Sequence, residues 1–133
     1  MASIHGLLAN LFVLFLFGAL FFDFIGFFRT PKFYPIMALA CFFLAIMTVI
    51  PLITLGIIMA YPFTASGSLP SLLKEHIVLG SATVFLMIVA MAIRLQRGKN
   101  PWRIGFYFLL QLAVVALAAI AAHAGGGTFA VSR

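Results

Sequence analysis

Charged residues are scarce in this sequence, and acidic ones are almost missing. Of the 133 residues, two are Asp or Glu and eight are Lys or Arg, so that 8% of the chain is charged while 65% is hydrophobic. Soluble domains carry roughly a quarter charged residues, and a chain this short has too little interior to hide so much apolar surface from water. The composition therefore excludes a soluble globular enzyme and predicts a protein of the membrane.

Cysteine and the common catalytic motifs are lacking as well. The single Cys41 lies within an apolar run, which excludes an intramolecular disulfide and a cysteine-based metal cluster and favours a packing role. The sequence has no glycine-rich phosphate loop, serine nucleophile elbow, His-Glu-x-x-His pair or Cys-x-x-Cys pair. We therefore predict no catalytic residue, and an enzyme is the less expected class.

Four apolar runs are present instead, each of about the length that a helix needs to cross a bilayer. They cover residues 6–28, 34–61, 71–93 and 104–123. The first run lacks a preceding Lys or Arg and exceeds the length of a signal-peptide core, so we expect a retained helix. Pro51 predicts a bend in the second helix, and the glycines at 125–127 predict the end of the fourth. The whole chain, 1–133, is thus predicted to be one all-α polytopic membrane domain, an up-down antiparallel four-helix bundle.

The positive charges predict how the bundle is oriented. Six of the eight Lys and Arg residues lie in the connections at 29–32 and 94–103, and only Lys74 and Arg133 lie on the other side. By the positive-inside rule the six-charge side is cytoplasmic and both termini face outward, which in a bacterium means a multi-pass protein of the inner membrane with periplasmic termini. A net charge of +6 can also indicate nucleic-acid binding, but charges confined to short loops favour the membrane interpretation.

Three histidines are the candidate ligand-binding residues. His5 opens the first helix, His76 opens the third and His123 closes the fourth, so the predicted topology places all three at the outward rim. Gly80, one turn after His76, could leave room for a planar ligand. The alternative is that small residues only allow membrane helices to pack closely, and that rim histidines are common.

Asp23, one of the two acidic residues, lies late in the first predicted span. It lies near the cytoplasmic rim, within reach of Arg29 or Arg94, so an ion pair is its expected role. A proton relay is the other interpretation, but no second buried acid continues it. Glu75, beside His76, could orient that histidine or cap the first turn of its helix.

Several short motifs resemble a group of small bacterial four-helix membrane proteins of unassigned function. The resemblance rests on residues 4–12 (IHGLLANLF), 22–26 (FDFIG) and 123–127 (HAGGG), with Gly56 in the second helix and His76 opening the third. Gly6 stands where that family has proline, and Asn10 stands where it has a second histidine. The resemblance implies the four-helix membrane fold and supplies no activity.

Two functions remain from the sequence. The first is a non-catalytic subunit or scaffold of a larger respiratory or photosynthetic electron-transfer complex, with membrane lipids and other membrane-protein subunits as partners. The 125–133 tail and the loop between the third and fourth helices would then contact neighbouring chains. The alternative is a redox protein that binds haem b or a metal of unknown identity, with His76 and His123 as the expected ligand pair and His5 in reserve.

Overall fold

The protein is an all-α bundle of four helices, as the sequence predicts. The computed structural model describes residues 2–29, 32–67, 70–96 and 101–130. The helices are α1 (Ala2–Phe28), α2 (Phe33–Ala65), α3 (Ser71–Gln96) and α4 (Pro101–Ala130), and the described residues contain no strand. Each helix has an apolar stretch long enough to cross a bilayer, from 22 residues in α4 to 33 in α2. The chain is therefore a multi-pass membrane protein by length and composition.

All four helices are longer than the predicted spans, and α2 and α4 exceed them most. The connection between the second and third predicted spans, residues 62–70, is shorter in the structure, because α2 continues through Pro62 to Ala65 before Gly67 turns the chain with a φ of 69°. The predicted stop of α4 is wrong, because the helix passes the glycines at 125–127 and ends at Ala130. Near a bilayer a backbone group has few partners outside its own helix, so proline and glycine interrupt helices less often there than in water.

The helices pack unevenly around α1. It lies along α2 on one side and along α4 on the other, α3 lies along α4, and α2 and α3 barely touch. Close approach of α1 and α2 depends on Gly18, where an added Cβ would lie 3.1 Å from Cys41 Sγ. Cys41 is therefore a packing residue, as expected. The three tight interfaces leave one open seam, between α2 and α3.

One end of the bundle is closed by a polar network that touches all four helices. Arg94 Nε donates to Asp23 Oδ2 at 2.7 Å, and its Nη2 donates to Asp23 Oδ1 at 3.1 Å and to the Pro35 carbonyl oxygen at 2.8 Å. Tyr107 Oη donates to Asp23 Oδ2. The predicted ion pair of Asp23 is thus confirmed with Arg94, while Arg29 is exposed. We call Asp23, Pro35, Arg94 and Tyr107 the four-helix clamp.

Candidate functional site

At the end opposite the clamp, the separation of α2 from α3 leaves a cavity of about 340 Å³. Its wall comes from all four helices and is mostly apolar. Small residues make the space, because side chains of ordinary size at these positions would fill it; they include Ala9, Gly56, Ala60, Gly80, Ala118 and Ala121. A Cβ added at Gly80 would meet no atom within 4 Å. The small residues therefore line a void here, and close helix packing does not account for Gly80.

Two histidines from different helices meet at this cavity. The ring centres of His5, on α1, and His76, on α3, lie 5.8 Å apart, and the planes are inclined by 65°, so that one ring edge faces the other ring. His5 is buried, with 6% of its surface exposed, and α2 approaches it through Gly56, where an added Cβ would lie 3.5 Å from His5 Cε1. We call His5 and His76 the histidine pair.

The orientation of the His76 ring is set by α4. Its Nδ1 lies 2.9 Å from the carbonyl oxygen of Ala121. A carbonyl oxygen only accepts hydrogen bonds, so Nδ1 carries the hydrogen and donates it, and in the neutral ring Nε2 then holds the lone pair. The carboxylate of Glu75, which the sequence offered as an orienting partner, is exposed. In its neutral form His76 therefore presents an electron-pair donor at Nε2, and the Ala121 carbonyl fixes the orientation of the ring.

His123 does not join the histidine pair: the structure brings His5 to His76, and the expected pairing of His76 with His123 stays a prediction. His123 lies two residues after Ala121, which is about 200° further around α4, and its side chain is exposed. The residue of α4 that reaches His76 is Ala121, through its backbone. The reserve candidate, His5, is the partner that the structure brings to His76.

Other polar groups near the histidine pair are few. Thr83 lines the cavity, and its Oγ1 donates to the Leu79 carbonyl oxygen of its own helix at 2.7 Å. Among the side chains that the structure describes, no three His, Cys, Asp or Glu residues are grouped so that they could hold a metal ion. Within those residues, a metal at the pair would have two imidazoles and no third protein ligand of these types.

The sequence alone predicts some residues of this site but not which of them come together. His5, Gly56 and His76 each belong to a motif noted in the sequence, yet nothing in a single chain says how far each helix is rotated about its axis. That rotation decides that His5 faces His76 and that His123 faces outward. Comparison with known proteins adds no relative: no protein-family model, no curated protein and no solved structure matches this chain.

Proposed function

We propose that this protein binds a small, mostly apolar molecule that enters from the bilayer between α2 and α3. The observation that supports this is the histidine pair at the wall of a mostly apolar cavity of about 340 Å³. Ligand sites of proteins are usually clefts of roughly 300–1,000 Å³ with apolar walls and a few polar groups that orient the ligand. Polar residues inside membrane proteins are costly and usually functional, and two imidazoles meeting here fit that rule.

The open seam gives such a ligand a route that does not pass through water. α1 packs tightly against α2 and α4, and α3 against α4, whereas α2 and α3 barely touch. Gly80 and Ser81 of α3 and Ile53 and Ile57 of α2 line the cavity from the two sides of this seam. A lipid-soluble molecule could therefore enter laterally from the bilayer, with its polar group at the histidine pair and its apolar part toward the lipid.

Haem b, the cofactor named by the sequence hypothesis, does not fit this cavity. A cavity of about 150 Å³ holds one benzene ring, so a macrocycle of four rings needs on the order of 600 Å³, which is well above 340 Å³. His123, half of the expected ligand pair, is exposed. The site fits a molecule with one ring and part of a tail.

We place the protein in a bacterial inner membrane with both termini in the periplasm. Six Lys and Arg residues at 29–32 and 94–103 support this orientation, which puts the histidine pair at the periplasmic side and the clamp at the cytoplasmic side. The resemblance to small bacterial four-helix membrane proteins supports the compartment. A reporter enzyme fused after Arg133 tests the orientation, because activity only in the cytoplasm would contradict it.

The bound molecule can be sought directly. The protein is purified from membranes in a mild detergent, extracted with organic solvent and examined by mass spectrometry, alongside the variants His76→Ala and His123→Ala. We expect one small lipid-soluble species that is enriched in the wild type and in His123→Ala and depleted in His76→Ala. An extract that contains only bulk phospholipid in all three samples would overturn the proposed function.

A second candidate is an accessory subunit of a larger membrane complex. The observation that favours it is the same open seam, since a helix of another protein could complete the unpaired faces of α2 and α3. The tail residues 131–133 and the loop residues 97–100, which the sequence hypothesis assigned to subunit contacts, lie outside the described residues. Co-purification of a stoichiometric membrane partner, lost on deletion of 128–133, would support this candidate. A protein that runs as a lone monomer in mild detergent would contradict the accessory-subunit candidate.

A further inference from the structure

We propose that the ligand of the histidine pair is a single-ring lipid with a ring hydroxyl, such as a prenylated benzoquinol, and that the site prefers the hydroxyl form to the corresponding quinone. This inference rests on the proposed function and names the ligand class for the same cavity.

The preference follows from the tautomer of His76. Because Nδ1 donates to the Ala121 carbonyl at 2.9 Å, Nε2 of the neutral ring is an acceptor. Within the described residues, the bond to Ala121 is the one hydrogen bond found for His76, so Nε2 is available to a ligand. A ring hydroxyl can donate a hydrogen bond to Nε2. A quinone carbonyl has no hydrogen to donate, so its oxygen lone pair would be repelled by the lone pair of Nε2.

The size of the cavity narrows the class to one ring. A benzene ring occupies a cavity of about 150 Å³, and this cavity measures about 340 Å³. The remaining volume holds ring substituents and the first part of a tail. A longer apolar tail would leave through the seam between α2 and α3 and lie among the lipids, where its length would not affect the fit.

The second histidine restricts where the hydroxyl can lie. The rings of His5 and His76 are inclined to each other with 5.8 Å between their centres, and on the α2 side a Cβ added at Gly56 would lie 3.5 Å from His5 Cε1. Because His5 is buried and Nδ1 of His76 is bonded to the Ala121 carbonyl, the His76 ring has little freedom to turn. Because the ring cannot turn, Nε2 remains the atom that faces the ligand. The preference for a hydroxyl over a carbonyl therefore depends on how the helices hold His76.

The test compares two probes that differ in the hydroxyls. A decyl-substituted benzoquinol and the matching benzoquinone are titrated into the protein in phosphatidylcholine nanodiscs, under argon with a reductant for the quinol, and the Kd of each is measured by calorimetry. A neutral hydrogen bond changes affinity by roughly tenfold, so we expect the wild type to bind the quinol roughly tenfold more tightly than the quinone. Equal affinities, or tighter binding of the quinone, would overturn the inference.

Three variants connect the preference to His76. His76→Phe keeps a ring of similar size without an acceptor, and we expect the two probes to bind it with equal, weakened affinity. His76→Gln restores an acceptor oxygen and should recover part of the preference. His123→Phe is the matched control, and we expect it to bind like the wild type. If His76→Phe keeps the full tenfold difference, the inference is wrong.

The outcomes separate this inference from the proposed function. If the organic extract contains a lipid-soluble ligand that depends on His76 but has no ring hydroxyl, the proposed function is supported and the inference that the ligand is a quinol is wrong. A Soret absorption band that is present in the wild type and absent in His76→Ala would likewise replace the single-ring ligand with haem. An extract without any specific ligand, together with no binding of either probe, would overturn both.

Discussion

The two ends of the bundle differ in how their buried polar side chains are arranged. At the clamp end, Arg94 donates to Asp23 and Pro35 while Tyr107 also donates to Asp23, so that the buried charges are satisfied by partners from all four helices. At the cavity end, His5 and His76 meet beside a void, and α2 stands apart from α3. The clamp uses polar groups to join helices, whereas at the cavity the two imidazoles border a void.

This difference indicates which end holds the helices together through polar side chains. The clamp reaches α2 through the Pro35 carbonyl and α3 through Arg94, so it connects the two helices that barely touch elsewhere. We therefore expect changes at the clamp to lower stability and changes at the cavity to affect ligand binding.

The largest expected effect is that of Arg94→Met. The side chains of Arg94 and Asp23 are 9% and 0% exposed, and removing one partner of a buried ion pair leaves an uncompensated charge, which costs about 3–5 kcal/mol. We expect the free energy of unfolding in detergent micelles to fall by about that amount. The double variant Asp23→Leu with Arg94→Met should recover part of the loss, because no charge is then left unpaired. Arg29→Met, at an exposed cation of the same end, is the control, and a loss as large as that of Arg94→Met would contradict the role of the clamp.

Tyr107→Phe comes next. Tyr107 is fully buried, and its hydroxyl donates to the Asp23 carboxylate. A hydrogen bond to a charged group contributes roughly 1.5–3 kcal/mol, so the variant should unfold with a free energy lower by that amount. Tyr61→Phe, in which the residue is 70% exposed, should change it by less than about 0.5 kcal/mol. Equal effects of the two variants would show that the Tyr107 hydroxyl adds nothing to the clamp.

The clamp was easier to predict from the sequence than the cavity, and the reason is the rarity of charge. The chain has only two acidic residues, and Asp23 is the one at the end of the bundle where the topology places six of the eight cations, so a pairing with Arg29 or Arg94 followed from topology. The four helices followed likewise from runs of apolar residues of membrane length. The pairing of His5 with His76 did not follow, because three histidines at one rim allow several pairs and the rotation of each helix decides among them. The end of α4 was missed because glycines that stop helices in water do not stop this one.

Two glycines provide a matched comparison of a packed and an open position. At Gly18 an added Cβ would lie 3.1 Å from Cys41 Sγ, while at Gly80 it would meet nothing within 4 Å. Gly18→Leu should therefore overpack the α1–α2 interface and lower the free energy of unfolding by roughly 1–3 kcal/mol. Gly80→Leu should leave the unfolding free energy unchanged or raise it by up to about 1 kcal/mol, since leucine favours the helix, and should still deplete the bound molecule found by mass spectrometry. If Gly80→Leu destabilises the protein as much as Gly18→Leu, the cavity is not open at α3.

The smallest expected effect is that of His123→Ala, and it tests how α4 is rotated. The sequence placed His123 in the ligand site, but its side chain is exposed, and it lies about 200° around the helix from Ala121. An exposed substitution away from any network changes stability by less than about 0.5 kcal/mol. We therefore expect the thermal unfolding of His123→Ala and its content of extracted ligand to match the wild type, whereas His5→Ala should lose ligand because it removes one ring of the histidine pair. If His123→Ala loses as much ligand as His76→Ala, then α4 must turn so that His123 faces His76, and the pairing first expected from the sequence would be the functional one.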